Sequence, residues 1–161
     1  MKKVIMSFLI SMLYLLSATG CNIDENILHA GETSTQYAGI ILDCFKGNSE
    51  PDTLKTLFCE KVSSTHNLDD EILSAIEFID GNIIDDGEWS RMSAGGQAWD
   101  NGELTDCHIK PLMKSIKTDT GKIYDISFYA YLVYYNKEYV GITRITIFAE
   151  NDEEYTIGEV L

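Results

Sequence analysis

The stretch Lys122–Tyr135, KIYDISFYAYLVYY, decides the class of the fold. Tyr124, Ile126, Phe128, Ala130, Leu132 and Tyr134 occupy alternate positions, with Asp125, Ser127, Tyr129, Tyr131 and Tyr135 between them. A period of two marks an extended strand with one face against a core, and aromatic residues suit a pleated, half-buried surface. The second face is rich in tyrosine, so the sheet is expected to have an apolar side and an amphipathic one. Downstream, Asn136-Lys137 reads as a tight turn into Glu138–Ala149, whose Val140, Ile142, Ile145 and Ile147 continue the core, and Tyr155–Leu161 reads as a short last strand. Upstream, Asp119-Thr120-Gly121 turns the chain out of a strand over Asp106–Lys117. Pro111 has no N–H to give to a neighbour, which predicts an edge or a bulge there. Asn82 to about Arg91 is a further strand, and the glycines and polar residues on either side of Trp99 predict a loop or a loosely paired hairpin end.

Before Gly81 the period changes to helical. Tyr37, Ile40, Ile41, Cys44 and Phe45 form one apolar stripe that ends at Gly47, and Pro51 suits the first turn of a second helix carrying Leu54, Leu57, Phe58 and Val62. Ser63-Ser64-Thr65 interrupts it. Asn67 is placed to cap a third helix, with Asp69, Asp70 and Glu71 in the first turn where the helix dipole favours negative charge. Ile72, Leu73, Ile76, Phe78 and Ile79 supply its apolar face, and Gly81 stands just past its end. The fold class is α+β: three N-terminal helices packed on a curved antiparallel sheet of four to five strands.

The extreme N-terminus has another purpose. Lys2-Lys3, an apolar run from Val4 to Leu16, and the small residues Ser17-Ala18-Thr19-Gly20 are the parts of a secretory signal peptide, and the run falls short of the roughly 20 residues needed to span a bilayer. Cys21 follows directly, and the segment resembles the lipobox of bacterial lipoproteins, in which that thiol receives diacylglycerol before cleavage. The expected organisation is a lipoprotein signal peptide over 1–20, a lipidated tether over 21–32 and a folded domain over 33–161. The likeness implies export, with anchoring to the outer face of the cell membrane through lipid on Cys21.

The chain carries 26 acidic against 12 basic residues, a net charge of −14. That balance excludes nucleic acid as a partner and argues against electrostatic docking on anionic lipid. The acidic runs Asp69-Asp70-Glu71, Asp85-Asp86 and Asp152-Glu153-Glu154 lack the alternate-ligand spacing of a calcium loop. Neither a cofactor nor a metal is expected. Cys44, Cys59 and Cys107 are odd in number and lack zinc spacing; Cys44 and Cys59 read as small buried hydrophobes, with a disulfide between them the alternative. His29 and His66 read as solvated surface groups.

No residue reads as a certain catalyst, because no nucleophile elbow, phosphate loop or HExxH motif occurs. Asp106 and His108 are two apart, hence on one face of a strand, where Tyr124, Asp125 or Tyr129 could oppose them. Candidate ligand-binding residues are Trp99, His108, Tyr124, Tyr129 and Tyr131.

The helix Asn67-Leu68-Asp69-Asp70-Glu71-Ile72, the segment Glu77-Phe78-Ile79-Asp80-Gly81 and the hairpin from Ile116 to Ile126 resemble an uncharacterised bacterial lipoprotein family, the domain of unknown function 5104. The order of elements is similar to the nuclear-transport-factor-2-like (cystatin-like) cone, whose helices cover the concave face of a bent sheet. The likeness brings no catalytic residue with it. The expected role is a non-catalytic module binding a small apolar ligand or an envelope protein; the alternative is a small-molecule hydrolase or isomerase using a cone pocket.

Overall fold

The computed structural model describes residues 25–160. The expected signal peptide and Cys21 lie outside the described residues. Among the described residues four helices come first: α1 (Glu25–Phe45), α2 (Pro51–Lys55), α3 (Glu60–Thr65) and α4 (Leu68–Phe78). Six strands follow: β1 (Ile83–Asp85), β2 (Glu88–Asp100), β3 (Glu103–Thr118), β4 (Ile123–Tyr134), β5 (Gly141–Ala149) and β6 (Glu154–Gly158). They form one sheet of order β1-β3-β4-β5-β6, with β2 also paired to β3, and every pairing of strands is antiparallel. The class is α+β, as the change of period at Gly81 predicts.

The described part of the chain is already helical at Glu25, inside the segment expected as a tether. His29 Nδ1 and Glu32 Oε2 meet at 2.8 Å one turn apart, and Ser34 and Ala38 are buried. The apolar stripe is sparse there, which is why periodicity alone starts the helix late. The second expected helix is two. Between α2 and α3 the backbone peels away to meet β5: Cys59 N–H donates to Ile142 O at 3.0 Å, and Ile142 N–H donates to Leu57 O at 2.8 Å. The serines and threonine expected to break the helix instead belong to α3.

The strand expected over Asn82–Arg91 is likewise divided, with Gly87 at φ +68 between β1 and β2. β2 then runs to Asp100 through the expected loop, and a tight hairpin turn at Asn101-Gly102, both with positive φ, returns the chain into β3. Pro111 lies on a strand paired on both sides, so the edge alternative fails and the bulge alternative holds. The β2–β3 register shifts between Ser90 and Ala94, opposite the proline, where no ladder hydrogen bond is available.

The core lies between the helices and one face of the sheet. Ile41, Leu54, Val62 and Ile72 from the helices meet Met113, Ile126, Phe128, Ile145 and Ile157 from the strands, all essentially without exposure. Cys44 and Cys59 are buried free thiols, as expected of small hydrophobes, and burial pushes the Cys44 thiol up to about 11. His66 is not the solvated group expected. It is three-quarters buried, its Nδ1 lies 2.8 Å from Glu71 Oε1, and Glu71 Oε2 accepts the Gly158 N–H at 2.7 Å. A carboxylate in the first turn of α4 thereby ties that helix to the end of β6.

Candidate functional site

The sheet face turned away from the helices carries the clearest constellation. Asp106 and His108 project together from β3, and Asp106 Oδ1 lies 2.7 Å from His108 Nδ1. On one side the imidazole stacks on Tyr129 of β4, ring centroids 5.1 Å apart and planes within 18°. On the other it rests on Gly96 of β2, where an added Cβ would stand 2.6 Å from His108 Cε1 and 2.9 Å from Nε2. Gly96 faces His108 directly in the ladder, so only a residue without a side chain leaves room for the ring there.

Tyr131 stands opposite His108 in the β3–β4 register and meets it edge-on at 5.8 Å. Tyr129 and Tyr131 are edge-to-face at 5.2 Å, Tyr131 meets Tyr134 at 4.2 Å, and Tyr134 in turn meets both Tyr135 at 4.4 Å and Tyr139 at 5.8 Å. Strict alternation assigns Tyr134 to the core face. The structure corrects this, because the register shifts between the Cys107–Val133 and His108–Tyr131 pairs and leaves Leu132 as an extra residue on β4. That bulge turns Tyr134 onto the face of Asp106, its ladder partner. Nothing in the local sequence marks it.

Three other candidates go elsewhere. Tyr124 is buried at the far end of β4, where its hydroxyl accepts the Asp80 N–H at 2.9 Å and donates to Phe78 O at 3.4 Å. It holds the end of α4 and takes no part in the cluster. Asp125 accepts the Ser115 N–H at 2.9 Å, pinning a bulge in β3. Trp99 sits on β2 at the end of the hairpin, so the loop alternative fails and the loosely paired hairpin end holds; it pairs with Leu104 across a register shift from the Ala98–Asp106 pair and is 47% exposed. Among the described residues no three His, Cys, Asp or Glu side chains stand close enough together to hold a metal ion.

Two open clefts of about 300 Å³ flank the first turns of α1. One is lined by His29, Tyr37, Leu57, Tyr131, Leu132 and Val140. The second, between α1 and the β2–β3 ladder, is lined by Ala30, Gly95, Gln97, Cys107, His108 and Ile109. Sequence reasoning missed the share of α1 in both, because it took residues 29 and 30 as tether.

Burial, then the Tyr129 hydroxyl, then the Asp106 charge raise the Tyr131 phenol above its ordinary range. A hydrogen bond to Tyr135, followed by burial, pushes Tyr134 up to about 12 from the ordinary 10.0. Both protons are held more tightly in the folded chain than in the unfolded one. Their stabilisation is therefore complete below pH 10 and drains away as the pH climbs from 10 towards 12. Ultraviolet difference titration is expected to show tyrosines ionising late, with the melting temperature falling over the same interval.

The described residues thus define an α+β domain with helices on one face of an antiparallel sheet and a histidine–tyrosine surface on the other. Residues 40–150 match the model of a domain of unknown function, DUF5104, and the chain belongs to that family. A search of curated proteins finds no match.

Proposed function

We propose that the protein is a membrane-anchored extracytoplasmic lipoprotein, held by lipid on Cys21, and that its domain is a non-catalytic binding module of the nuclear-transport-factor-2-like class. The aromatic series His108–Tyr129–Tyr131–Tyr134–Tyr135 carries the binding reading. Aromatic rings give large contact area with few rotors to freeze, and they dominate recognition surfaces where their faces stay open. The neighbouring cleft sets Leu57, Leu132 and Val140 beside His29, Thr33 and Thr56, a mixed lining that offers polar groups as well as apolar contact to a small ligand or to an envelope protein. The order of elements, helices first and then a bulged antiparallel sheet, supports the fold assignment.

A second reading, a small-molecule hydrolase or isomerase, has one observation in its favour. Asp106 orients His108 as a carboxylate orients a general base. The space between helices and sheet that would enclose a substrate is filled by Phe128, Ile41 and Ile126, each at most 1% exposed, and this favours binding over turnover.

Radiolabelled palmitate tests the anchor: label is expected in the wild-type chain and lost in Cys21→Ser. Native mass spectrometry of the protein from its own host tests the site. A retained molecule that Tyr129→Ala releases supports the binding module, and one that Tyr129→Ala retains unchanged removes the aromatic face from it.

A further inference from the structure

The described fold begins close to the proposed anchor. Only Asn22, Ile23 and Asp24 separate Cys21 from Glu25, the first described residue of α1, a reach of at most roughly 14 Å between the two. Whatever lies beside the first turns of α1 is therefore held near the membrane surface. Helix α1 runs antiparallel to β4: Tyr37 packs on Phe128 at 6.2 Å, and His29 shares a cleft with Tyr131 and Leu132. From Tyr37 back to Glu25 the helix rises roughly 18 Å. From Phe128 to Tyr135 the strand advances roughly 23 Å in the same direction. The start of α1 and the end of β4 thus share one end of the molecule.

The β2–β3 hairpin reaches that end too, because Asp106 pairs with Tyr134 and the Trp99–Leu104 pair lies beyond it. Among the residues whose side chains are described, Trp99, Tyr135 at 78% exposure, and Val140 are the exposed large hydrophobic ones there, while Leu73, Ile84 and Phe148 are scattered over other elements. Tryptophan and tyrosine combine an apolar body with a polar tip, the property that concentrates them at headgroup level.

We infer that this end of the domain docks on the headgroup layer of the bilayer, through Trp99, Tyr135 and Val140, an inference that rests on the lipid anchor proposed above. The exposed Asp100, Glu103 and Glu138 outnumber Lys137 beside these side chains, so the surface that fits is zwitterionic rather than anionic. The cleft between α1 and β4 then opens at the lipid surface.

The test uses the full lipidated chain in phosphatidylcholine vesicles whose acyl chains carry bromine close to the headgroup. Wild-type tryptophan emission is expected to be quenched relative to unbrominated vesicles, and Trp99→Phe to lose that quenching, because Trp89 packs against the core. Adding phosphatidylglycerol is expected to weaken the quenching. If palmitate is incorporated but the two chains are quenched equally or not at all, the docking is overturned and the anchor stands. If phosphatidylglycerol strengthens the quenching, the zwitterionic surface is overturned. If palmitate is not incorporated, the anchor is overturned and the docking with it.

Discussion

Phe128→Ala is expected to destabilise the domain by about 3–5 kcal/mol, the range for deleting a large aromatic side chain from a packed interior. Phe128 is 1% exposed at the centre of β4 and packs against Tyr37 of α1, so its loss opens a cavity where helix and sheet meet. Domains of this kind are stable by only about 5–15 kcal/mol, so the substitution removes a large fraction of the total. The next residue gives the internal comparison. Tyr129 lies on the opposite face, and Tyr129→Ala is expected to lose its stack with His108, about 0.5–1.5 kcal/mol, together with its share of partly buried area. Urea unfolding followed by circular dichroism measures both. Equal shifts in midpoint would contradict the assignment of the two faces.

Gly87→Ala is expected to cost about 2–5 kcal/mol through two causes that add: left-handed backbone at about 1–2 kcal/mol and displacement of a packed neighbour at about 1–3 kcal/mol. Gly87 has φ +68, and an added Cβ would stand 1.9 Å from Lys114 O and 2.8 Å from Ser115 C. Both are backbone atoms of β3, which pairs on both sides and has no flexible end to swing away. Gly47 separates the causes. Its φ is +70, with no heavy atom within 4 Å of an added Cβ, so Gly47→Ala is expected to show the conformational cost alone, about 1–2 kcal/mol. Denaturant midpoints at unchanged slope measure the difference, and equal losses at the two glycines would show that the approach to Lys114 is relieved at no cost.

The alternation in Lys122–Tyr135 and the helical spacing before Gly81 made the class legible, because each element buries one face and its period records which. The pairing of Asp106 with His108 was legible for the same reason. Tyr134 was not, since a bulge at Leu132 depends on how β3 and β4 meet, and the sequence of either strand alone does not record it. The split between α2 and α3 was hidden likewise: Leu57 and Cys59 leave the helix to bond with Ile142, a residue far along the chain. Gly96 reads locally as a flexible turn, and only the ring of His108 across the ladder explains it. Tyr124 sits among candidate ligands by composition, yet its hydroxyl is spent on the backbone of Phe78 and Asp80.

The bond from Gly158 to Glu71 closes over most of the polypeptide. Synthesis is vectorial, so α4 leaves the ribosome long before the segment that must cover Ile72 and take up the free oxygen of that carboxylate. Until β6 arrives, the flank of α4 that it covers stays open, while α1 can already pack on β3 and β4. Docking of α4 thus waits for β6, and a nascent chain arrested short of Gly158 is the species a chaperone would have to hold.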